Sequence, residues 1–230
     1  MSHSRPWISD EKKTVLIYSP KAACTTLHNW FIRDLCEIED IRDPRVVANE
    51  RNFVSEYNKI KPFYNIYFFI RDPIQRCVSC FINKFILYDG KKLNKDNLET
   101  FSYKLLDTYS ITYDTLTFDR FLSAIEYGMY IKKIDLHFNN QVCEHNFNLI
   151  KDMKPNINMI TDINKILDID YKLNNSKISN ELDNFKDLTF TYVKDIKIED
   201  LKYNNFSSCY DRIREIYKVD YDFINKYIIS

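Results

Sequence analysis

One stretch near the N-terminus limits the fold more than any other, because an apolar run passes through a short turn into a helical pattern. Residues 15–18 are apolar and β-prone, and Pro20 ends the run. Thr25 and Thr26 are suitable helix caps. The residues that follow recur at helical spacing and share one apolar face: Leu27, Trp30, Phe31, Leu35 and Ile38. The pattern therefore predicts a buried strand, a tight turn and a helix start.

This corner has the properties of an anion-binding site. A helix N-terminus offers unpaired N–H groups and a positive dipole end, to which Lys21 and the hydroxyls of Thr25 and Thr26 would add. The Walker pattern G-x-x-x-x-G-K-[ST] is absent, and the chain has only 2 glycines, so small residues such as Ala22 and Ala23 would supply the backbone donors. From this stretch alone, an ordinary strand–turn–helix corner with a surface lysine is the alternative.

Composition predicts a single globular domain over residues 1–230, since 45% of the side chains are hydrophobic and 15% are aromatic. The 33 basic and 33 acidic side chains cancel, so we expect no nucleic-acid partner, and any anion site must be built locally. No run approaches the ~18 apolar residues of a membrane span, and no signal peptide is evident, so we expect an intracellular, soluble chain without membrane insertion.

The 6 cysteines are scattered and are predicted to be reduced. Cys77 and Cys80 match C-x-x-C, but they lie inside a helical pattern and not at a helix start. Packing in the core is therefore the preferred interpretation, ahead of redox or zinc chemistry.

A second strand–turn–helix corner follows. Residues 65–70 form a continuous apolar run that ends at Arg71 and Pro73, as a strand buried on both faces would. The helix behind it is predicted to bury one face made of Ile74, Cys77, Val78, Phe81, Phe85 and Ile86. Arg76, Ser79 and Asn83 lie on the opposite face. Because ligands of open α/β sheets bind beyond the carboxyl ends of the strands, Lys21 and Arg71 are expected at one site.

Weaker patterns complete the chain. Strands are predicted at residues 157–160 and 188–193, and helices at the ranges 98–109, 117–127, 210–217 and 221–229, with Thr117 as an N-cap. Residues 88–97 and 168–187 read as polar loops. Strands that alternate with helices favour an α/β fold whose parallel sheet is covered on both faces.

At this point the chain resembles the PAPS-dependent carbohydrate sulfotransferases (sulfotransferase family 2), where PAPS is 3′-phosphoadenosine 5′-phosphosulfate. Residues 20–26 (P-K-A-A-C-T-T) are similar to that family's 5′-phosphosulfate loop, P-K-x-A-C-[ST]. Residues 71–79 (R-D-P-I-Q-R-C-V-S), continued by Lys84 and Phe85, are similar to its 3′-phosphate motif. Weaker likeness extends to residues 137–141 (H-F-N-N-Q) and 216–223.

The resemblance implies a P-loop-NTPase-like, three-layer fold with a central, mainly parallel sheet flanked by helices. It implies PAPS as the co-substrate and no metal. Lys21 would contact the bridging and leaving phosphate oxygens, and Arg71 and Ser79 would hold the 3′-phosphate. The 5′ end would be cradled by the backbone amides and hydroxyls of the loop: Ala23, Cys24, Thr25 and Thr26.

Direct in-line transfer also needs a base for the acceptor hydroxyl. His137 is the first candidate, since imidazole titrates near neutrality. His28 on the first predicted helix is the second, and carboxylates such as Glu50 and Glu56 are a third possibility.

The acceptor is expected to be a hydroxyl compound, preferably a saccharide, with its specificity set by the loops at 88–97 and 168–187. Two other classes of function stay open at this point. One is a small-molecule or nucleotide kinase with a degenerate P-loop, which would use ATP and Mg²⁺. The other is a non-catalytic nucleotide-binding or scaffold protein on the same fold. The sequence carries no prediction of the oligomeric state.

Overall fold

The computed structural model describes residues 7–9, 11–22, 27, 31, 64–88, 91–142, 157–160 and 209–226. The chain divides into two compact units, and each is described by itself. Unit 1 takes its described residues from Met1–Arg71 and Gln141–Asp187, and unit 2 takes its own from Asp72–Asn140 and Leu188–Ser230.

The elements in chain order are β1 (Trp7–Ser9), β2 (Thr14–Tyr18), β3 (Asn65–Phe69), α1 (Pro73–Phe81), a π-helical turn (Ile82–Ile86), β4 (Leu87–Tyr88), β5 (Lys91–Lys92), α2 (Thr100–Thr108), a 3₁₀ turn (Tyr113–Thr115), α3 (Phe118–Tyr130), β6 (Ile157–Ile160), α4 (Tyr210–Ile216) and α5 (Lys218–Ile224).

Unit 1 contains a four-stranded sheet in the order β1-β2-β3-β6. β2, β3 and β6 run parallel, and the register pairs Tyr18 with Phe69 and Phe69 with Ile160. These three strands therefore end at the same edge of the sheet. Strands were predicted at all three places, and the α/β class agrees with the structure. The sheet is nevertheless mixed, because β1 pairs antiparallel with β2.

The central strands of unit 1 are buried on both faces. Consecutive residues of a strand point to opposite faces, and in β2 the side chains of Val15, Leu16 and Ile17 are all at most 1% exposed. Leu27 and Phe31 are also fully buried, at the spacing of the predicted helix face. The rest of that helix, the strand predicted at 188–193 and the loop at 168–187 lie outside the described residues.

Unit 2 is built on a cluster of aromatic side chains. Phe81 on α1 lies 5.0 Å from both Phe118 and Phe121 on α3, measured between ring centroids. Phe121 in turn lies 5.5 Å from Phe85 and 5.7 Å from Phe138. Such pairs add directional stabilisation to the burial of large apolar area.

The predicted helices of unit 2 are present. α2, α3 and α4 cover most of their predicted ranges, and the Thr117 hydroxyl caps α3 by accepting the Arg120 N–H at 3.2 Å. The range predicted at 221–229 is shifted, because α5 begins at Lys218 and ends at Ile224. The polar loop predicted at 88–97 is partly wrong, because β4 and β5 pair as a short antiparallel hairpin. Among the residues that the structure describes, no helix has the length and apolarity needed to cross a membrane.

The predicted apolar face of helix α1 is confirmed, whereas the prediction for its polar face is wrong at one residue. Cys77 and Cys80 are free thiols, 1% and 2% exposed, as the core interpretation of C-x-x-C predicted, and burial raises the pKa of the Cys77 thiol. Arg76, by contrast, was predicted on the polar face and is only 1% exposed. Its guanidinium is buried because backbone carbonyl groups satisfy its N–H donors.

Helix α3 offers a matched test of this packing. Phe121 is fully buried and Tyr130 is 83% exposed on the same helix. We expect Phe121→Ala to lower the free energy of unfolding by about 3–5 kcal/mol, because it removes a ring from the aromatic cluster. Tyr130→Ala should change it by no more than about 0.5 kcal/mol. Urea titration followed by circular dichroism measures both, and equal losses would contradict this assignment of the core.

Candidate functional site

The chain leaves β2 through a tight turn that holds Lys21 in an unusual backbone conformation. The Ala22 N–H donates to the Ser19 carbonyl at 3.2 Å, with Pro20 second in the turn and Lys21 third. Lys21 has φ = 66°, the left-handed value that this position of a type II turn requires. A side chain there costs roughly 1–2 kcal/mol relative to glycine. Strain of this kind concentrates at functional sites.

Arg71 leaves the neighbouring strand at the same edge. Tyr18 and Phe69 are in register, so the residues after β2 and β3 are brought side by side. The Arg71 Nη1 donates to the carbonyl oxygen of Lys21 at 3.3 Å. Both side chains are partly exposed. The structure therefore brings two of the predicted site residues together, and both are cationic.

The buried amide of Gln141 joins the two strand ends. Its Oε1 accepts the Arg71 backbone N–H at 2.9 Å and the Ser19 hydroxyl at 3.2 Å, and its Nε2 donates to the Arg71 carbonyl at 2.7 Å. Gln141 is completely buried and Ser19 is 2% exposed. A buried amide with its donor and acceptor both engaged is a rigid connector.

The other predicted residues of the nucleotide site belong to unit 2 or lie outside the described residues. Ser79 belongs to α1 in unit 2, where it is partly exposed. In the same unit, the Asp72 carboxylate accepts the Gln75 N–H at 2.9 Å and so caps α1. The predicted residues outside the described part of the chain are Ala23, Cys24, Thr25, Thr26, His28, Glu50 and Glu56.

His137, the first candidate for the base, lies in unit 2 beside a carboxylate. Its Nδ1 is 2.6 Å from Asp135 Oδ1, and its backbone N–H donates to the same oxygen at 2.9 Å. Its ring stacks on Phe101 of α2, with centroids 4.3 Å apart and planes only 4° from parallel. The side chain is 25% exposed, so solvent reaches part of it. When one ring nitrogen of a neutral imidazole donates to a carboxylate, the lone pair lies on the other nitrogen.

Asp135 stays ionised in this setting. Burial raises the pKa of its carboxyl, but the hydrogen bonds from His137 and the charge of Lys84 outweigh that effect, so the pKa is lowered from its usual 3.8. A carboxylate that is ionised at neutral pH accepts hydrogen bonds and cannot donate them.

The backbone around His137 is held by side chains from α1 and from the turn between α4 and α5. Arg76 donates from Nη1 to the Asn139 carbonyl at 2.8 Å and from Nη2 to the Leu136 carbonyl at 3.0 Å. The Tyr217 hydroxyl donates to the Phe138 carbonyl at 2.7 Å. Arg76 and Cys80 also contact the His137 carbonyl, at 3.3 and 3.4 Å. The backbone carbonyl groups of four consecutive residues, 136–139, thus accept hydrogen bonds from side chains.

A profile of the sulfotransferase family matches residues 4–226, which is nearly the whole chain. The chain belongs to the sulfotransferase family. Neither a curated protein nor a solved structure matches it.

Membership of the sulfotransferase family gives sulfotransfer as the reaction class and implies an acceptor that carries a hydroxyl group. It favours this class over the kinase alternative. In the part of the chain that the structure describes, no group of three or more His, Cys, Asp and Glu side chains is arranged to hold a metal ion.

Several residues that hold the strand ends in unit 1, or His137 in unit 2, were not predicted to have a function. Gln141 and Arg76 stand in the quoted motifs, but neither was assigned a function, because both motifs contain other polar residues and no apolar pattern marked either residue as buried. Asp135 is two residues before His137 in the sequence, but that proximity alone did not predict a contact with the imidazole ring. Phe101 carried no signal, because its contact with His137 joins residues 36 positions apart.

Removing the Gln141 side chain should weaken unit 1. Gln141→Ala leaves the Arg71 backbone groups and the Ser19 hydroxyl without this partner, and a buried polar group left unpaired costs about 1–3 kcal/mol. We expect a loss of free energy of unfolding on that order in a urea titration. Gln75→Ala, at an exposed position of α1, is the control and should change stability by less than about 0.5 kcal/mol.

The lowered pKa of Asp135 makes its stabilising effect dependent on pH. The carboxylate stabilises the fold above the pKa of the unfolded chain, and this contribution is lost as pH falls through the lower pKa of the folded state. Asp135→Asn should therefore lower the melting temperature near neutrality, and the difference from wild type should shrink as pH falls through the folded-state pKa, which lies below 3.8. Asp211→Asn, whose side chain is 95% exposed, should show a much smaller effect. A difference that persists in acid would contradict the assignment.

Proposed function

We propose that the protein transfers the sulfuryl group of PAPS to a hydroxyl group of an acceptor, and that this acceptor is a saccharide. The observation that carries this proposal is the contact between Arg71 and the Lys21 carbonyl at the carboxyl ends of two parallel strands. Family membership supports sulfotransfer, and PAPS is the donor that sulfotransferases generally use. The likeness of both phosphate motifs to carbohydrate sulfotransferases supports the saccharide.

The site chemistry fits a donor with phosphate groups at both ends of its ribose. Lys21 supplies a point charge for the 5′ leaving phosphate, next to the predicted amide cradle at 23–26. Arg71 offers a planar fork suited to the 3′-phosphate, to which Ser79 would add a neutral donor. We also propose that these parts belong to one P-loop-like domain with a central, mainly parallel sheet over residues 1–230. The parallel pairs β2–β3 and β3–β6 agree with that architecture.

The proposed reaction is a direct in-line displacement. The acceptor oxygen forms a bond to sulfur while the bond between sulfur and the bridging phosphate oxygen breaks. Lys21 stabilises the negative charge that develops on the leaving oxygen. Nε2 of His137 takes the acceptor proton, and the products are a sulfate ester and 3′-phosphoadenosine 5′-phosphate.

Transfer of radiolabelled sulfate from PAPS to a panel of glycans, phenols and peptides tests the function directly. We expect labelled product with at least one glycan. Nucleotide binding without transfer to any acceptor would contradict the proposal and favour the non-catalytic alternative. Labelling of phenols or peptides alone would contradict the saccharide while retaining sulfotransfer.

Two substitutions at Lys21 separate its charge from its backbone strain. Lys21→Ala and Lys21→Gly should each lower turnover by about 10²–10³-fold, because both remove the charge from the leaving group. Lys21→Gly should be at least as stable as Lys21→Ala in thermal unfolding, because glycine adopts φ = 66° without strain.

Lys132 provides the matched control, since it also has a left-handed backbone (φ = 54°) and is exposed at the end of α3. Lys132→Gly should keep wild-type turnover. Wild-type turnover in Lys21→Ala would overturn the role of Lys21 as the group that stabilises the leaving phosphate.

A further inference from the structure

His137 is held more firmly than a histidine at the surface requires. One oxygen of Asp135 faces both the ring Nδ1, at 2.6 Å, and the backbone N–H of the same residue, at 2.9 Å. Two contacts to a single oxygen restrict how the imidazole can turn about its side-chain bonds. A partly exposed ring thus has a defined orientation.

We propose that Asp135 is a positioning residue, which keeps Nδ1 of His137 protonated and so makes Nε2 the atom that takes the acceptor's proton. The inference rests on the proposed function for its chemical purpose, since it assumes that His137 is the base. Its structural content, the protonated nitrogen of the ring, can be measured without any turnover.

The argument for the tautomer starts from the carboxylate. Because an ionised carboxylate only accepts hydrogen bonds, the short contact to Nδ1 requires the proton to lie on that nitrogen. In neutral imidazole the other nitrogen, Nε2, then carries the lone pair. When His137 takes a proton, the charge of Asp135 also stabilises the imidazolium that forms.

Phe101 fixes the plane of the ring. The parallel stack at 4.3 Å prevents the imidazole from tilting, and the face of an aromatic ring attracts a cation once the imidazole is protonated. Phe101 is itself held in place by Lys84, whose Nζ lies 4.9 Å from its ring centroid and forms an ion pair with Glu99. Lys84 has a side chain that is only 7% exposed, so this support is not a mobile surface contact.

The backbone of His137 is fixed independently. Arg76, Cys80 and Tyr217 hold the carbonyls of residues 136–139, as described above. Removing the Asp135 carboxylate should therefore change the protonation and rotation of the ring while the segment stays in place. This separation between ring and backbone makes the proposal testable by a conservative substitution.

Long-range ¹H–¹⁵N correlation spectra of the full chain, labelled with ¹⁵N-histidine, report which ring nitrogen carries the proton. The chain has 4 histidines, and His137→Gln identifies the signal of interest by its disappearance. At a pH where the ring is neutral, we expect His137 to show the Nδ1–H tautomer in the wild type. A predominant Nε2–H tautomer would overturn the proposal without any reference to activity.

Asp135→Asn should change that signal. The asparagine amide can donate to Nδ1, so the proton should move to Nε2, and turnover should fall by about 10²–10⁴-fold for lack of a base. Asp211→Asn, which removes a carboxylate paired with Arg214, should alter neither the spectrum nor turnover. An unchanged His137 signal in Asp135→Asn would contradict the positioning role.

Substitution of Phe101 tests the stack separately. Phe101→Tyr preserves an aromatic face and should keep kcat near the wild-type value, whereas Phe101→Leu should lower kcat without a matching change in the affinity for 3′-phosphoadenosine 5′-phosphate. Equal kcat values in both variants would contradict the role of the stack.

The two proposals fail in different ways. If His137 shows the Nδ1–H tautomer but His137→Gln retains full transfer, the proton is taken by another group and the assignment of the base is wrong. If transfer depends on His137 but the tautomer does not depend on Asp135, sulfotransfer stands and the positioning role is lost.

Discussion

The hydrogen bonds of the Gln141 amide are the interaction on which unit 1 depends. Parallel pairing of β2 with β3 brings two strand ends to one edge, but the chain must turn away from the sheet there and loses its ladder partners. Gln141 replaces those partners for Arg71 and contacts Ser19 at the start of the Lys21 turn. The backbone on both sides of the two strand ends is thereby held, and the cationic side chains of Lys21 and Arg71 leave from neighbouring positions. The strained backbone of Lys21 is compatible with such bracing.

The motif at residues 71–79, continued by Lys84 and Phe85, contributes to both units. Arg71 belongs to the strand end in unit 1, whereas the later residues of the same motif support the His137 segment within unit 2. Arg76 holds the backbone carbonyls there, Lys84 contacts Phe101, and Phe85 stacks on Phe138 at 6.2 Å. The π-helical turn contains both Lys84 and Phe85, and irregular helical turns of this kind are frequent at functional sites. The motif therefore has a structural role in unit 2 in addition to the phosphate contact proposed for it.

Local sequence patterns predicted most of the helices and strands, but not the side-chain contacts between residues far apart in the chain. Strands β2, β3 and β6 were predicted because each is an apolar run, while β1 was missed because three residues form too short a pattern. Helical periodicity placed Arg76 on the polar face of α1, and this prediction was wrong. The carbonyl groups that accept from the buried guanidinium lie about 60 residues further along the chain, so the local sequence could not reveal them. The pairing of Lys21 with Arg71 followed from the rule for strand ends. The clamp by Gln141 did not, because it joins positions 70 residues apart.

The central claim is that the joined strand ends hold a nucleotide with phosphates at its 3′ and 5′ positions. Isothermal titration calorimetry with 3′-phosphoadenosine 5′-phosphate tests it most directly, with Arg214→Ala, at a half-exposed arginine of α4, as the control. We predict binding of one nucleotide per chain, weakened by about 10–100-fold in Arg71→Ala through loss of a charge-assisted contact and unchanged in the control. No binding to the wild type, or equal affinity in Arg71→Ala, would contradict the account.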